Sequence, residues 1–496
     1  MTFTQIQPFR ILGNLYFVGT REASSHLIAT EEGLILIDSG YEESAPLLEK
    51  SIRDLGFDLA DVRLILHTHG HYDHTFATPA LLKVATNAKT YLGGEDIRYL
   101  EGRFLPDAYY EDGGVIALGT TRITTLFTPG HTEGSYSFFF DVEEGGRTYR
   151  CGMFGGAGPR QLRLDYMRRP DRDICYLNRG KFFASIERLL EERVDIPLGN
   201  HTWHNRTVEK GEALRAGCLE NPFIAPGEWE KFLCDSRESL EELMREDTRT
   251  HFVNFAHRGA PAYCPENTLL SFYTGLYMGA NGIETDVRKT ADGTLVLFHD
   301  DTLNRVCGVD GRPEDMRTED FLALRVTTNG LWDHPVSFED FLMHLADKDL
   351  TFAIEIKGEG CEEAVADMIF KYGLERKCTV TSFCFDYIKR IKEYAPLLRI
   401  GYLTSKLDEE TVNRLIEISA DEYCPRGRTL TAQWVQKLHR YGFNVRAWGV
   451  ENEEMMKALY DMGVDGMTVN FPDKLTEYIR SKQNDNYTLQ QICFRL

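Results

Sequence analysis

The chain has 496 residues, 42% hydrophobic and 27% charged, a balance that supports large buried cores and excludes a mostly disordered protein. Its 56 Lys and Arg against 77 Asp and Glu leave a formal charge of −21, which argues against nucleic acid or an anionic membrane as partner, since both call for a basic surface. The length predicts about three domains of common size, or two larger ones.

Residues 1 to about 150 read as short strands and loops. Leu34-Ile35-Leu36-Ile37 is an apolar run ending at Asp38-Ser39-Gly40, and Val62-Arg63-Leu64-Ile65-Leu66 is another, ending in a histidine cluster. Thr121 to Phe127 and Ser135 to Phe140 read as further strands, with helices expected at about 44–54, 77–84 and 180–193. That order predicts a layered α/β domain. Two charged helical segments, Glu228 to Phe232 and Arg237 to Arg245, precede a boundary expected near 248. A second strand–helix rhythm follows, with strands expected at Phe252–Ala256, Gly282–Val287, Thr294–Phe298, Phe352–Ile356, Val380–Ser382, Arg399–Tyr402, Glu422–Tyr423, Asn444–Trp448 and Gly466–Val469. Repeated βα units with chemical residues at their strand ends predict a (β/α)8 barrel. The chain after Pro472 reads as one short helix and a tail. The domains expected are 1–248, 249–480 and a tail at 481–496.

The first chemical signal is His67-Thr68-His69-Gly70-His71-Tyr72-Asp73-His74, directly after a strand. A lone histidine at a strand end is ordinary; four within eight positions, from a total of 14, are not. Imidazole and carboxylate suit a zinc-like ion. His69 and His71 alternate along extended backbone and point the same way, so they can grip one ion, while Asp73 and His74 can face a second. More ligands must come from far along the chain. His131, after the Pro129-Gly130 turn, and His201, after Ile196-Pro197-Leu198, are the candidates, with His204 and His26 competing for the last place.

This pattern resembles the metallo-β-lactamase superfamily over about 1–220, in its HxHxDH motif at His69 to His74 and its GHT step at His131. The resemblance implies an αββα sandwich and two zinc ions. His69, His71 and His131 would hold the first ion, and Asp73, His74 and His201 the second. A metal-bound hydroxide would attack a carbonyl or phosphoryl centre, and Asp38 would support the site from behind. One departure stands out: the strand end Cys151-Gly152-Met153-Phe154-Gly155-Gly156 lacks the bridging aspartate that most hydrolases of the superfamily carry there. In this the chain looks most like the subclass B3 enzymes. Cys151 is either a substitute ligand or a buried core thiol. Phe104, Tyr109, Tyr110 and Trp203 are either cleft walls or packing. A β-lactam-like ring, a lactone, a thioester and an amide all remain open as substrates. Phosphodiester or nuclease-like hydrolysis and a non-catalytic binding role are the other readings of this domain.

The second signal lies at successive barrel strand ends: Ala256-His257-Arg258-Gly259, Pro265-Glu266-Asn267-Thr268, Glu284-Thr285-Asp286, His299-Asp300-Asp301 and Glu355-Ile356-Lys357. Acids inside apolar strands need a partner, and three converging acids favour a hard cation, calcium or magnesium. Arg258 and Lys357 suit a phosphate, and His257 and His299 can pass protons near neutral pH. These phrases resemble the glycerophosphodiester phosphodiesterase family over about 251–475: HRG, PENT, E-x-D, HDxTLxR and E-x-K, with an insertion at about 301–338. The resemblance implies Glu284, Asp286 and Glu355 as ligands of one Ca2+ or Mg2+, and His257 and His299 as general acid and base. It also implies Arg258 and Lys357 on the phosphate, Glu266 as a polar neighbour and Trp448 on the substrate side. An alcohol and glycerol 3-phosphate would be the products, by way of a cyclic phosphate. The family's Thr-Asp-x-Pro step appears here as Val469-Asn470-Phe471-Pro472.

The expected protein is a two-domain metal-dependent hydrolase acting on small molecules, with its two sites working in sequence on one compound as a further expectation. No stretch reads as roughly eighteen continuous apolar residues, so no membrane span is expected. The first residues lack the basic-then-apolar pattern of a secretory signal. The 11 cysteines include no CxxC pair and read as reduced thiols in a cytoplasmic protein.

Overall fold

The computed structural model describes residues 3–167, 169, 174 and 177–493. The chain divides into two compact units, one built on residues up to Met167 with Asn178–Leu243, the other from Met244 onward. Among the described residues, no helix is long and apolar enough to cross a membrane.

In the first unit a seven-stranded sheet follows chain order, from Phe9–Leu12 through Leu15–Phe17, His26–Thr30, Gly33–Ile37, Val62–Leu66 and Lys89–Leu92 to Ala108–Tyr109. It is antiparallel as far as Gly33–Ile37 and parallel beyond. A five-stranded sheet runs Ile196–Leu198, Arg147–Met153, Tyr136–Glu144, Thr121–Phe127, Gly114–Leu118. The continuous apolar run at 34–37 follows from burial on both faces. Ile35 and Ile37 face the core between the sheets, with Phe138, Phe140 and Met153. Leu34 and Leu36 face the helix Ala45–Asp54 through Leu48 and Ile52. This is the layered arrangement of a metallo-β-lactamase sandwich, with the histidine loop issuing from the end of Val62–Leu66.

The second unit is a closed barrel of eight parallel strands: Val253–His257, Gly282–Lys289, Thr351–Ile356, Cys378–Ser382, Arg399–Thr404, Glu422–Pro425, Asn444–Ala447 and Gly466–Val469. The first strand closes the ring by pairing with both the second and the last. One of the nine expected strands, Thr294–Phe298, is not a wall strand. Leu295–Leu297 pairs antiparallel with Gly282–Lys289, because only a short turn at Asp292-Gly293 separates them and a parallel crossover needs about a dozen residues or more. Gly293 takes φ 85° there. His299 is thus delivered by a hairpin return and not by a barrel strand.

Two helices are longer than the sequence suggests. The two charged segments form one 26-residue helix, Pro226–His251, since Cys234-Asp235-Ser236 contains no breaker between them. The short helix expected after Pro472 is Pro472–Cys493, 22 residues, with no Gly or Pro inside to stop it. Residues 494–496 of the expected tail lie outside the described residues.

At the end of the barrel opposite the chemical residues, the Asp465 carboxylate accepts from Val445 N–H at 2.7 Å, His439 Nε2 at 2.7 Å and Thr248 Oγ1 at 3.0 Å. Burial alone would raise this carboxyl, but the facing His439 and the donated hydrogen bonds outweigh it and hold it below the usual range. A depressed folded-state value gives stabilisation that is full above the unfolded value of about 4 and is lost as pH falls through the folded one. Asp465→Ala should therefore cost about 3 kcal/mol of barrel stability at pH 7, with a penalty that fades in acid. Denaturant unfolding across pH measures this, and an unchanged midpoint at pH 7 removes the role.

Candidate metal centres

In the first unit, two groups of three side chains gather around the ends of the central strands. His69, His71 and His131 place one nitrogen each within 4.8 Å of one another, and Asp73, His74 and His201 do the same with an oxygen and two nitrogens. His131 Nε2 lies 3.1 Å from His71 Nδ1. Asp73 Oδ2 lies 3.5 Å from His74 Nε2 and 3.6 Å from His201 Nε2. The rings of His69 and His74 are 4.3 Å apart, which joins the two groups.

Each histidine is aimed by what its other nitrogen does. His131 Nδ1 donates to Gly158 O at 2.6 Å, His201 Nδ1 to Glu22 O at 3.0 Å and His74 Nδ1 to Asp38 Oδ2 at 2.9 Å. Nε2 of all three then turns inward, the arrangement that orients imidazoles on a metal. Burial first, then neighbouring imidazoles, lower His69, and burial lowers His131 and His201 to about 4. His74 is raised: burial opposes this, but Asp73 and Asp38 outweigh it. Most of the cluster is thus neutral near pH 7 and presents lone pairs, as zinc-class coordination requires. Asp38 also accepts from Thr68 N–H and Oγ1, both at 2.8 Å, and holds φ 58° to do so.

In the barrel, strand register brings the acids together. His257 lies opposite Glu284, and Asp286 opposite Glu355. Glu284, Asp286 and Glu355 place oxygens within 4.8 Å of one another. Arg258 Nε is 3.0 Å from Asp286, and Lys357 Nζ is 2.6 Å from Glu355 and 3.7 Å from Asp286. Burial, then Asp286, push Glu355 up to about 7, and burial, Asp286 and Glu355 push Glu284 well above the carboxylate range. Asp286 goes the other way: burial opposes it, but Arg258 and Lys357 hold it far below. Three acids that cannot all carry charge without help form an oxygen set suited to a hard divalent ion.

His257 Nδ1 donates to Asn470 Oδ1 at 2.5 Å, with Nε2 3.8 Å from Glu284. His299 Nδ1 bonds Asp300 at 2.6 Å, and its carbonyl accepts from the buried Arg288, Nη2 at 3.1 Å. Arg288 also holds Glu314 at 2.8 Å and Asp301 at 2.5 Å. A cavity of about 320 Å³ is lined by His257, His299, Glu284, Glu355, Lys357 and Trp448, among others. Trp448 Nε1 donates to Cys424 O at 3.0 Å, and its ring meets Phe383 edge-on at 4.9 Å.

A glycerophosphodiester phosphodiesterase of Caldanaerobacter subterraneus subsp. tengcongensis is 30% identical over 235 residues, 45% of this chain and 96% of that protein. The uncharacterized protein YqiK of Bacillus subtilis is 31% identical over 243 residues, 46% of this chain and 98% of its own. The sequence model of the glycerophosphoryl diester phosphodiesterase family matches residues 257–474. The chain belongs to the glycerophosphoryl diester phosphodiesterase family. Ahead of that domain, the metallo-beta-lactamase superfamily matches residues 18–145. Together the two matches make the chain a fusion of two hydrolase families, and the protein is an enzyme of that class. Among solved structures, BJP-1, a subclass B3 metallo-beta-lactamase of Bradyrhizobium japonicum, is 27% identical, covering 50% of this chain and 97% of that one with a TM-score of 0.46.

Several residues weighed for the lactamase-type domain fall outside its two ligand groups. Cys151 is buried in its strand and belongs to the inter-sheet core. His26 and His204 are absent from both triads, and His67 bonds Thr78 Oγ1 and the His74 carbonyl. Tyr110 is core, donating to His67 O at 3.1 Å, while Tyr109 is exposed. Trp203 is not core: it is 63% exposed and stacks on His201 at 4.3 Å. In the phosphodiesterase barrel, Glu266 pairs with Arg258 at 2.9 Å and with Arg305 at 2.6 Å.

Two residues escaped the sequence reading. Gln161 Nε2 lies 3.1 Å from His71 Nδ1 and 3.4 Å from His131 Nε2. Asp96, fully buried, accepts from Gly70 N–H, Thr132 Oγ1 and Gly134 N–H, each at 2.7 Å. It ties the loop bearing His69 and His71 to the loop bearing His131. Burial pushes its carboxyl up to about 7 against these three donors. Asp96→Ala strands buried donors on both loops. It should cost the domain about 3 kcal/mol and weaken metal binding by the histidine cluster about tenfold or more, read by unfolding and by chelator competition; wild-type values for both would refute the tie.

Proposed function

We propose that the barrel hydrolyses glycerophosphodiesters to an alcohol and glycerol 3-phosphate, and that the N-terminal domain is a binuclear zinc hydrolase of a carbonyl substrate. The observation that carries the barrel reading is the meeting of Glu284, Asp286 and Glu355 within 4.8 Å, beside two histidines and two cations that share one cavity. In this reading the three acids hold one calcium or magnesium ion. When bound, that ion neutralises phosphate charge and steadies the attacking oxygen.

Arg258 and Lys357 turn their charge on the phosphate and set the diester in the cavity. The Nδ1–H bond to Asn470 fixes the tautomer of His257 and leaves Nε2 as the proton acceptor. His257 takes the proton from the glycerol 2-hydroxyl, and that oxygen attacks phosphorus. His299 gives a proton to the departing alcohol. Water then opens the cyclic phosphate with the two histidines in exchanged roles. Trp448 forms an apolar wall on the substrate side.

In the N-terminal domain, His69, His71 and His131 hold the first zinc ion, and Asp73, His74 and His201 the second. When bound, the pair supplies Lewis acidity and water of lowered pKa. Asp73 accepts a hydrogen bond from the attacking water and fixes its direction. The inward-turned nitrogens of His74, His131 and His201 support this assignment.

The two sites should fail separately. Glu284→Ala should lower phosphodiester cleavage by at least about a thousandfold with zinc content unchanged, and Asp73→Ala should remove about one zinc equivalent with glycerophosphodiester turnover intact. Metal analysis and assays on glycerophosphocholine, lactams, lactones and thioesters separate the cases. Full diester cleavage by Glu284→Ala, or full zinc content in Asp73→Ala, would sink the corresponding ligand set.

Asn470 also sets a pH signature. Burial first, then Arg258, lower His257 to about 4, and the Asn470 bond opposes them. A carboxylate in place of the amide favours the imidazolium and raises that value. Since the base must be neutral, the acidic limb of kcat/KM should move to higher pH in Asn470→Asp. A limb that stays in place would show that His257 is not the base.

A further inference from the structure

We infer that Gln161 is a fourth protein ligand of the first zinc ion, through its amide oxygen. This rests on the zinc reading above and deepens it. With bonds of 2.0–2.1 Å to a tetrahedral zinc ion, ligand atoms lie about 3.3 Å apart. His71 Nδ1 and His131 Nε2 are 3.1 Å apart, and the terminal amide atom of Gln161 is 3.1 Å from one and 3.4 Å from the other. The amide therefore stands at tetrahedral spacing from two of the three histidine nitrogens, and His69 places its own within 4.8 Å of both.

Gln161 Oε1 is buried and has no hydrogen-bond partner among the described residues. A half-turn of the amide exchanges donor for acceptor at nearly the same place. It then aims an oxygen lone pair at the point the imidazole lone pairs share.

The local chain is shaped for this approach. Gln161 lies in the short turn Pro159–Leu162, reached through Gly155-Gly156-Ala157-Gly158. A side chain at Gly156 would meet His131 Cβ at 2.6 Å, and Gly158 supplies the carbonyl that orients His131. This is the segment after the strand Arg147–Met153, whose end carries no acid. A neutral amide on that segment leaves the first ion its full charge, whereas Asp73 partly neutralises the second. Four protein ligands also close the first ion to water until the amide swings away.

The test is Co2+ loading of the full-length protein, stripped by chelator, for wild type, Gln161→Ala and Gln161→Glu. Visible absorption reports four-coordinate Co2+ at the histidine centre, and the barrel's oxygen set contributes little to it. Gln161→Ala should lower affinity at the first site at least about tenfold and shift the four-coordinate bands, as water takes the place of the amide oxygen. Gln161→Glu, which keeps an oxygen in place, should hold wild-type affinity within about threefold, or exceed it. Wild-type affinity and spectrum in Gln161→Ala would overturn the ligand assignment, as would equal losses in both variants, which would mark Gln161 as packing alone. A wild-type protein without the four-coordinate bands would overturn the zinc reading beneath it.

Discussion

Electron pairs of like character, gathered away from water, repel one another unless something positive stands among them, and both halves of this protein are organised around that constraint. Two carboxylates 4 Å apart cost about 4 kcal/mol even at an effective dielectric of 20. Three such pairs amount to roughly 12 kcal/mol, comparable with the net stability of a whole domain, about 5–15 kcal/mol. Glu284, Asp286 and Glu355 meet this cost through Arg258 and Lys357 and through the raised proton affinity of Glu284 and Glu355. In the lactamase-type domain the same problem is posed with neutral imidazoles, whose repulsion is milder. There burial first, and neighbouring imidazoles second, lower the proton affinity of His69, His131 and His201.

Positioning in both sites begins with the backbone. Asp38, Arg258 and Asn267 hold φ of 58°, 52° and 57°, a left-handed conformation that costs a non-glycine residue roughly 1–2 kcal/mol. Each residue uses the turn it gains. Asp38 reaches Thr68 and His74 across two strands. Arg258 folds back so that its N–H meets Glu284 O at 2.8 Å, while its guanidinium meets Asp286. Asn267 reaches Asp286 at 3.0 Å with its amide nitrogen and accepts from Thr285 at 2.8 Å with its oxygen. Strain of this kind persists only where the surrounding contacts hold it in place, and here those contacts are with the clustered acids and histidines themselves.

The proposed ligands were readable because their chemistry is concentrated and tied to strand ends. His69, His71, Asp73 and His74 announce themselves by density, and Glu284, Asp286 and Glu355 by standing as acids in apolar strands. The barrel was legible from its alternating apolar runs and helices, and the sandwich from runs buried on both faces. What the sequence hid has a common cause. Asp96 and Gln161 are single polar residues in turns, with no motif around them, and only the folded chain shows that they touch residues roughly 30 to 90 positions away. The hairpin at Leu295–Leu297 was hidden because an apolar strand reads alike whichever way it runs; its direction is set by the length of the turn before it. The joined helix Pro226–His251 was hidden by a polar stretch that interrupts the apolar pattern but not the backbone.

The delivery of His299 by a hairpin return, with its carbonyl gripped by Arg288, divides labour within the barrel. The staves keep the acids, while one histidine rides on an excursion between staves. Such an excursion can lengthen, shorten or be exchanged over evolutionary time without unseating the acids. A lineage could thus move this histidine on an unaltered frame of acids.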